Sequence, residues 1–168
     1  MLEDSIMGEK KNILTYEGLR AYEEELEDLR VNKRKEIAEK IKEAVAQGDL
    51  SENAEYDAAK DLQRDVEARI EELENLLKNA EVVDEDEIDV KTIGIGCKVK
   101  LQDQKSKQEV AYKIVGSSEA NSIKGKISNE SPVGRALIGA KKNEIVEVET
   151  QAGIFKYKVL KIERASAS

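Results

Sequence analysis

Apolar residues recur at three- and four-residue steps through the first half of the chain. Leu19, Tyr22, Leu26 and Leu29 form a stripe that thins across Asn32, Lys33, Arg34 and Lys35 and resumes at Ile37, Ile41 and Val45. A second stripe runs through Ala59, Leu62, Val66, Ile70, Leu73, Leu77 and Ala80. Steps of this kind lay a narrow apolar seam along one side of a helix, as in a coiled coil. The first helix is expected to begin at Thr15, whose hydroxyl can cap free backbone amides, with Glu17 favourable in the first turn. Gly48 is suited to end it as a left-handed C-cap. The second helix is expected from about Ser51 to Asn79. Two helices of similar length joined by a few residues lie antiparallel. At about 1.5 Å per residue, about 30 residues make a rod on the order of 45 Å long.

After residue 90 the period changes to two. Cys97 to Leu101 alternates apolar and polar, and Glu109 to Val115, Ser122 to Ile127, Glu144 to Thr150 and Ile154 to Ile162 read similarly as strands. Ser131 and Pro132 open one short helix among them, and Gly139 stops it. These elements predict a small α+β domain around a twisted antiparallel sheet. The expected organisation is a flexible polar lead-in over 1–12, a helical hairpin over 13–80, an acidic linker over 81–90 and the sheet domain over 91–168. The linker, EVVDEDEIDV, lacks the ligand spacing and central Gly of a calcium loop and reads as solvated.

Composition fits this division. The chain has 168 residues, 38% of them charged and 39% hydrophobic, with one Phe and no Trp, which is thin for a single core but normal when a two-helix rod carries part of the chain. Residues 1–90 hold 13 Lys and Arg against 28 Asp and Glu, a balance of −15, and residues 91–168 hold 15 against 8, a balance of +7. The two halves therefore face different electrostatic surroundings, and the net −8 argues against a general nucleic-acid binder. One cysteine, Cys97, excludes an internal disulfide framework and reads as a buried strand residue. The absence of histidine excludes Ser-His-Asp and Cys-His catalysis and His-ligated metal within this chain. No apolar stretch reaches membrane-spanning length and the opening MLEDSIMGEKK has no signal-type apolar region, so a soluble cytoplasmic protein is expected.

The turn between the helices, GDLSENAEYDAAK from Gly48 to Lys60, holds Asp49 and Glu52 three residues apart. Two readings compete there. Asp-x-x-Glu at a helix start resembles a capping box, worth about 0.5–2 kcal/mol. Alternatively, carboxylates with Cβ atoms roughly 5–6 Å apart can share one divalent ion. Such a pair is half a site, because Mg²⁺ wants six ligands and gives up water reluctantly. Two-metal phosphodiester hydrolysis needs ligands of this kind, one ion steadying the leaving oxygen and the other generating hydroxide. On spacing alone the cap is the simpler account.

The same turn resembles the signature of the Gre family of bacterial transcript-cleavage factors. A second segment, Lys124-Gly125-Lys126-Ile127-Ser128-Asn129-Glu130-Ser131-Pro132 followed by Ala136-Leu137-Ile138-Gly139, is similar to another motif of that family, and the likeness runs from about Ile13 to Glu163. It implies an α+β protein with an N-terminal antiparallel coiled coil and a C-terminal FKBP-like sheet domain with one short helix. It implies docking on bacterial RNA polymerase through the C-terminal domain, with the coiled coil entering the secondary channel. The acidic pair of the family falls on Asp49 and Glu52, which would hold Mg²⁺ jointly with the polymerase, none being bound by the free chain. The polymerase would then cleave the nascent RNA 3′ end of a backtracked complex, so the chain is not itself an enzyme. Lys60 matches a position often basic in the family, Lys42 and Arg64 are further candidates for contact with the RNA, and for all three a solvated face is an equal reading. Val45 stands where relatives can carry a basic residue. Tyr56 is expected to pack at the tip. The free chain is expected to be a monomer.

Three other readings remain open at the level of sequence. One is a non-cleaving paralogue that inhibits the polymerase from the same channel, although such proteins usually alter the tip carboxylates. Another is a prolyl isomerase, for which only Tyr112, Phe155 and Tyr157 offer aromatic lining. The last is a coiled-coil adaptor, which explains the rod but not the acidic turn.

Overall fold

The helical seam is periodic in steps of four and three, with one interruption that the backbone absorbs. In the computed structural model, which describes residues 11–48 and 53–165, α1 spans Tyr16–Asp28, α2 spans Arg34–Ala46 and α3 spans Ala54–Lys78. Residues Arg20–Asn79 form one compact unit. Its core is Leu26, Ile37, Val66, Ile70 and Leu73, with Tyr22, Leu29, Ile41 and Leu77 packed against them. Ala44 and Ala59 are also buried. From Leu29 to Ile37 the step is eight residues, one more than the seven of a two-turn seam repeat. The surplus residue is taken up at Leu29–Lys33, a π-helical segment in which the Arg34 N–H bonds back to the Leu29 carbonyl. A π turn holds more residues than an α turn, so it returns the stripe to the partner helix after the insertion. The stripe of α3 needs no such correction.

The insertion also decides what faces the seam beyond it. From Ile37 the stripe continues to Ile41 and Ala44, not to Val45 as expected; Val45 lies about 100° further round and is 47% exposed. On α3 the stripe passes Leu62, which is 39% exposed, and runs through Ala59 and Val66. Small residues thus line the seam near the turn on both helices. Arginines cross between the helices: Arg34 makes a two-pronged bond with Glu67 at 2.8 and 2.9 Å, Arg69 another with Glu25 at 2.7 and 2.8 Å, and Arg30 meets Glu74. The Arg34 partner holds the Glu67 carboxyl below its ordinary range. Arg30, Glu74, Arg34 and Glu67 are exposed and Arg69 and Glu25 only partly buried, so these pairs select the antiparallel pairing more than they stabilise it.

The second unit comprises residues through Leu19 and those from Ala80 onward. β1 (Asn12–Leu14) pairs in parallel with β2 (Ala80–Val82), so Ala80 is a strand residue and not the end of the helical stripe. β3 (Cys97–Asp103), β4 (Glu109–Val115), β5 (Lys126–Ser128), β6 (Ile145–Thr150) and β7 (Gly153–Arg164) form one sheet in the order β5-β4-β3-β7-β6. The sheet is mixed, not wholly antiparallel: β5 runs parallel to its neighbour β4. The reason lies in the connection. Ser122–Lys124, expected as strand, is a 3₁₀ turn in which the Asn121 side chain accepts the Lys124 N–H, and Gly125 at φ +73° re-aims the chain along β4. α4 (Pro132–Leu137) starts as the sequence indicates, with the Ser131 hydroxyl accepting the Gly134 N–H at 3.1 Å.

The core of this unit includes Val99, Leu101, Ile114, Leu137 and Val159, with Cys97 fully buried. Burial pushes the Cys97 thiol up. The stretch expected as a solvated linker contributes to that core: Ile88 is buried in it and Val83 packs against it. Between them Asp84 caps a 3₁₀ turn over Glu85–Glu87 by accepting the Asp86 N–H. The acidic side chains therefore face solvent while two apolar residues anchor the segment.

One buried carboxylate fixes the start of α1. Thr15 donates its N–H to Glu119 Oε2 at 2.7 Å and its hydroxyl to Glu119 Oε1 at 2.6 Å, while the Thr15 Oγ1 accepts the Gly18 N–H at 3.1 Å. The expected Thr15 cap is thus present, and Glu119 completes it from 104 residues away. Glu119 fills the space a side chain at Gly18 would need.

Two stability predictions follow from these arrangements. Gly18→Ala normally stabilises a helix by about 0.5–1 kcal/mol; here it should destabilise by about 1 kcal/mol or more, because the methyl would displace Glu119, and Thr15→Val should cost about 1–3 kcal/mol by removing the hydroxyl that Glu119 Oε1 accepts while the backbone N–H bond to Oε2 stays. Urea unfolding of both variants measures this. Deleting Val31 should leave a folded hairpin of equal or greater stability, since it restores the seven-residue step, whereas deleting Glu39 should cost about 2 kcal/mol or more by rotating Ile41 and Ala44 out of the seam. Thermal melts of the two deletions decide it.

Candidate functional site at the hairpin turn

α2 ends and α3 begins around a single side chain. Gln47 closes α2, and Gly48 follows at φ +118°, a conformation that favours glycine. α3 begins at Ala54, later than the sequence pattern suggests, with Asn53 as its N-cap at φ −95° and ψ 99°. Asn53 Oδ1 accepts the N–H groups of Glu55 and Tyr56, each at 3.1 Å. Its Nδ2 donates to the carbonyl of Ala44 at 2.7 Å, reaching back to the last turn of α2.

Asp49 and Glu52 lie outside the described residues. The capping role weighed for them is filled by Asn53, which occupies the first free amides of α3. Asparagine is among the strongest N-cap residues, and that signal was available in the sequence; the more familiar Asp-x-x-Glu spacing drew attention from it. Glu55 and Asp57 stand in the first turn of α3, where the helix dipole favours negative charge.

Lys60 is partly buried and donates to Gln63 Oε1 at 2.8 Å. Arg64, one turn on along the same face of α3, is exposed and ion-paired with Asp61. Lys42 is exposed on α2. The structure brings Lys60 and Arg64 onto one face and engages both with neighbours on their own helix. Tyr56 is partly buried.

As ligands, Asp49 and Glu52 offer hard carboxylate oxygens of the kind Mg²⁺ takes, and two such groups fall short of its six positions. Among the described residues no group of three or more His, Cys, Asp or Glu side chains could hold a metal ion. Nor is any helix among them long and apolar enough to cross a membrane. In the sheet unit Tyr112 and Tyr157 pack against the core.

A helical hairpin followed in the chain by a small mixed-sheet unit is the element order of a two-part transcription elongation factor. The family model described as transcription elongation factor, N-terminal, matches residues 12–82, and that described as transcription elongation factor, GreA/GreB, C-term, matches residues 85–164. The chain belongs to the GreA/GreB family of transcription elongation factors. The transcription elongation factor GreA of Lachnoclostridium phytofermentans is 67% identical over 160 residues, covering 95% of this chain and 100% of that protein. That of Clostridium kluyveri is 55% identical over 157 residues, covering 94% and 99%. Among solved structures, the GreA factor homolog 1 protein of Thermus thermophilus is 29% identical, covers 92% of this chain and 99% of its own, and has a TM-score of 0.43.

Because Lys60 and Arg64 engage only local, largely solvated partners, Lys60→Ala and Arg64→Ala should change unfolding free energy by less than about 0.5 kcal/mol. Chemical denaturation checks this, and a larger loss would mean that these cations hold the hairpin together.

Proposed function

We propose that this chain stimulates cleavage of nascent RNA within RNA polymerase, lending Asp49 and Glu52 to a metal site that the polymerase completes. The reading is carried by one observation: both family models match in order across nearly the whole chain, and the acidic pair stands intact in the turn between α2 and α3. In this reading the sheet unit docks on the polymerase and the hairpin enters its secondary channel. Magnesium, when bound, supplies the positive charge that stabilises a phosphodiester undergoing attack by water.

The chain's own contribution is to carry and orient carboxylates. The seam stiffens the hairpin, and Asp49 and Glu52, which lie in the sequence between α2 and α3, supply the carboxylates. Hydrolysis belongs to the polymerase, and the chain is a cofactor-like subunit of a shared centre. Lys60, Lys42 and Arg64 would attract the phosphates of the RNA 3′ end, each as an exposed or partly exposed cation and not as an acid or base. The free chain acts as a monomer in the cytoplasm.

Asp49→Ala and Glu52→Ala should each lower stimulated cleavage of a backtracked complex by about 100-fold or more, while binding to the polymerase is retained. Cleavage at the wild-type rate with both substitutions in place would overturn the reading.

A further inference from the structure

We infer that the outward face of the five-stranded sheet binds single-stranded RNA through its phosphates, on a lysine block centred on Lys98, Lys113 and Lys126. The contact is separate from the role proposed for Asp49 and Glu52 and does not depend on it.

Alternation along each strand assigns every residue to one face. Cys97, Val99 and Leu101 of β3 lie in the core, so Lys98, Lys100 and Gln102 point outward. The register then places their neighbours. Lys98 stands opposite Lys113 of β4, and Lys113 stands beside Lys126 of β5. On the other side of β3, Lys100 stands opposite Lys161 of β7 and Gln102 opposite Lys158. Like charges facing one another across strands destabilise a sheet. Such pairs recur here on one face, where alternating signs would fold more stably, so the arrangement points to an external anion.

Nearby acids do not cancel the block. Glu17 takes Lys113 at 2.7 Å, Glu109 takes Lys100 at 3.1 Å and Glu163 takes Lys161 at 3.3 Å. Lys98, Lys126 and Lys158 have no ion-pair partner among the described residues. Lys113, with Lys126 adding to it, holds the Glu17 carboxyl below its ordinary range. The net −8 of the chain arises before residue 90, while residues 91–168 sum to +7. Charges more than about 10 Å away are largely screened at ordinary salt, so the local sign governs what this face attracts.

Residue type selects the partner. Protein interfaces gather Tyr, Trp, Phe, Met and Arg and are depleted in Lys. The outward positions of the five strands carry no Arg and no aromatic residue, because Tyr112, Phe155 and Tyr157 share the inward phase. Lysine is a point charge that takes phosphate from many directions. Without an aromatic platform no base is stacked, so contact is to the backbone and independent of sequence. Neighbouring strands lie about 4.8 Å apart, so the lysines of β5, β4 and β3 span about 10 Å. Glu147 and Glu149 occupy outward positions of β6, at the far edge of the same face. A flexible single strand can stay on the lysines, whereas a rigid duplex would also lay phosphates over those carboxylates.

The test uses the full chain and a fluorescent oligouridylate of about 15 nucleotides, within the usual range of single-strand site sizes. Anisotropy at about 50 mM salt should show saturable binding whose log–log salt slope is about −2 to −3, as for three or four phosphates. Lys98→Gln combined with Lys126→Gln should weaken binding about tenfold and reduce the magnitude of the slope by about 1.4. That double variant should melt no lower than the wild type, because it relieves like-charge pairs. Lys141→Gln combined with Lys142→Gln removes equal charge from the α4–β6 connection and should bind RNA as the wild type does. Duplex DNA of equal length should bind more weakly than the oligouridylate. Wild-type RNA binding by the Lys98 and Lys126 double variant would overturn the inference. So would an equal loss in the Lys141 and Lys142 double variant, duplex binding as tight as RNA binding, or a polyglutamate peptide bound as tightly as RNA.

Discussion

Everything in the hairpin depends on a narrow seam of apolar side chains between two antiparallel helices. A chain this charged can bury few residues per turn, and the seam spends them along a line instead of gathering them into a globule. Leu26, Ile37, Ile70 and Leu73 are nearly or fully buried, while the flanks are Glu, Lys and Arg. A linear core gives reach for a given number of residues, at the expense of tolerance: a one-residue change in phase moves every later side chain off the line. The π turn at Leu29–Lys33 is the structural answer to one such change already present in the sequence. It lets α1 and α2 keep one partner although their sequences are out of step by a residue.

The sheet unit is built on the opposite plan. Its core is compact, fed by alternate residues of five strands and by Leu137 of α4, and it recruits Val83 and Ile88 from a stretch whose charges suggested a free linker. Glu119 shows the same economy. It is a buried carboxylate whose two oxygens receive the N–H and the hydroxyl of Thr15. Hydrogen bonds to both oxygens offset part of the cost of burying a polar group there. That arrangement also requires Gly18, and so ties three residues of distant sequence into one unit.

Much of this was legible in the sequence because it rests on local rules. The four-three stripes gave the hairpin, alternation gave β3, β4, β6 and β7, and Ser131-Pro132 gave α4. The failures are equally physical. Asn32 to Lys35 looked like a thinning of the stripe, since hydropathy alone does not distinguish a weak seam from an inserted residue; only the backbone hydrogen bonds do. Val45 and Leu62 fit the seam by hydrophobicity but fall outside it by phase, with Ala44 buried in place of Val45. The Ser122–Ile127 run alternates like a strand, yet Asn121 and Gly125 make its first half a turn, and the resulting parallel pairing of β5 depends on a long-range partner. Glu119 carried no local signal at all, because its role is set by a hydroxyl 104 residues away.

The division of labour at the turn follows from competition for acceptors. A carboxylate that caps a helix has its lone pairs committed to backbone amides, and one that binds a metal must have them free. Asp49 and Glu52 cannot serve fully in both capacities. Placing Asn53 at the cap resolves the conflict: a neutral amide satisfies the orphan N–H groups of α3, and its spare donors reach α2 without adding charge. The asparagine thus caps α3 by means that leave the carboxylates of Asp49 and Glu52 available for the role proposed for them.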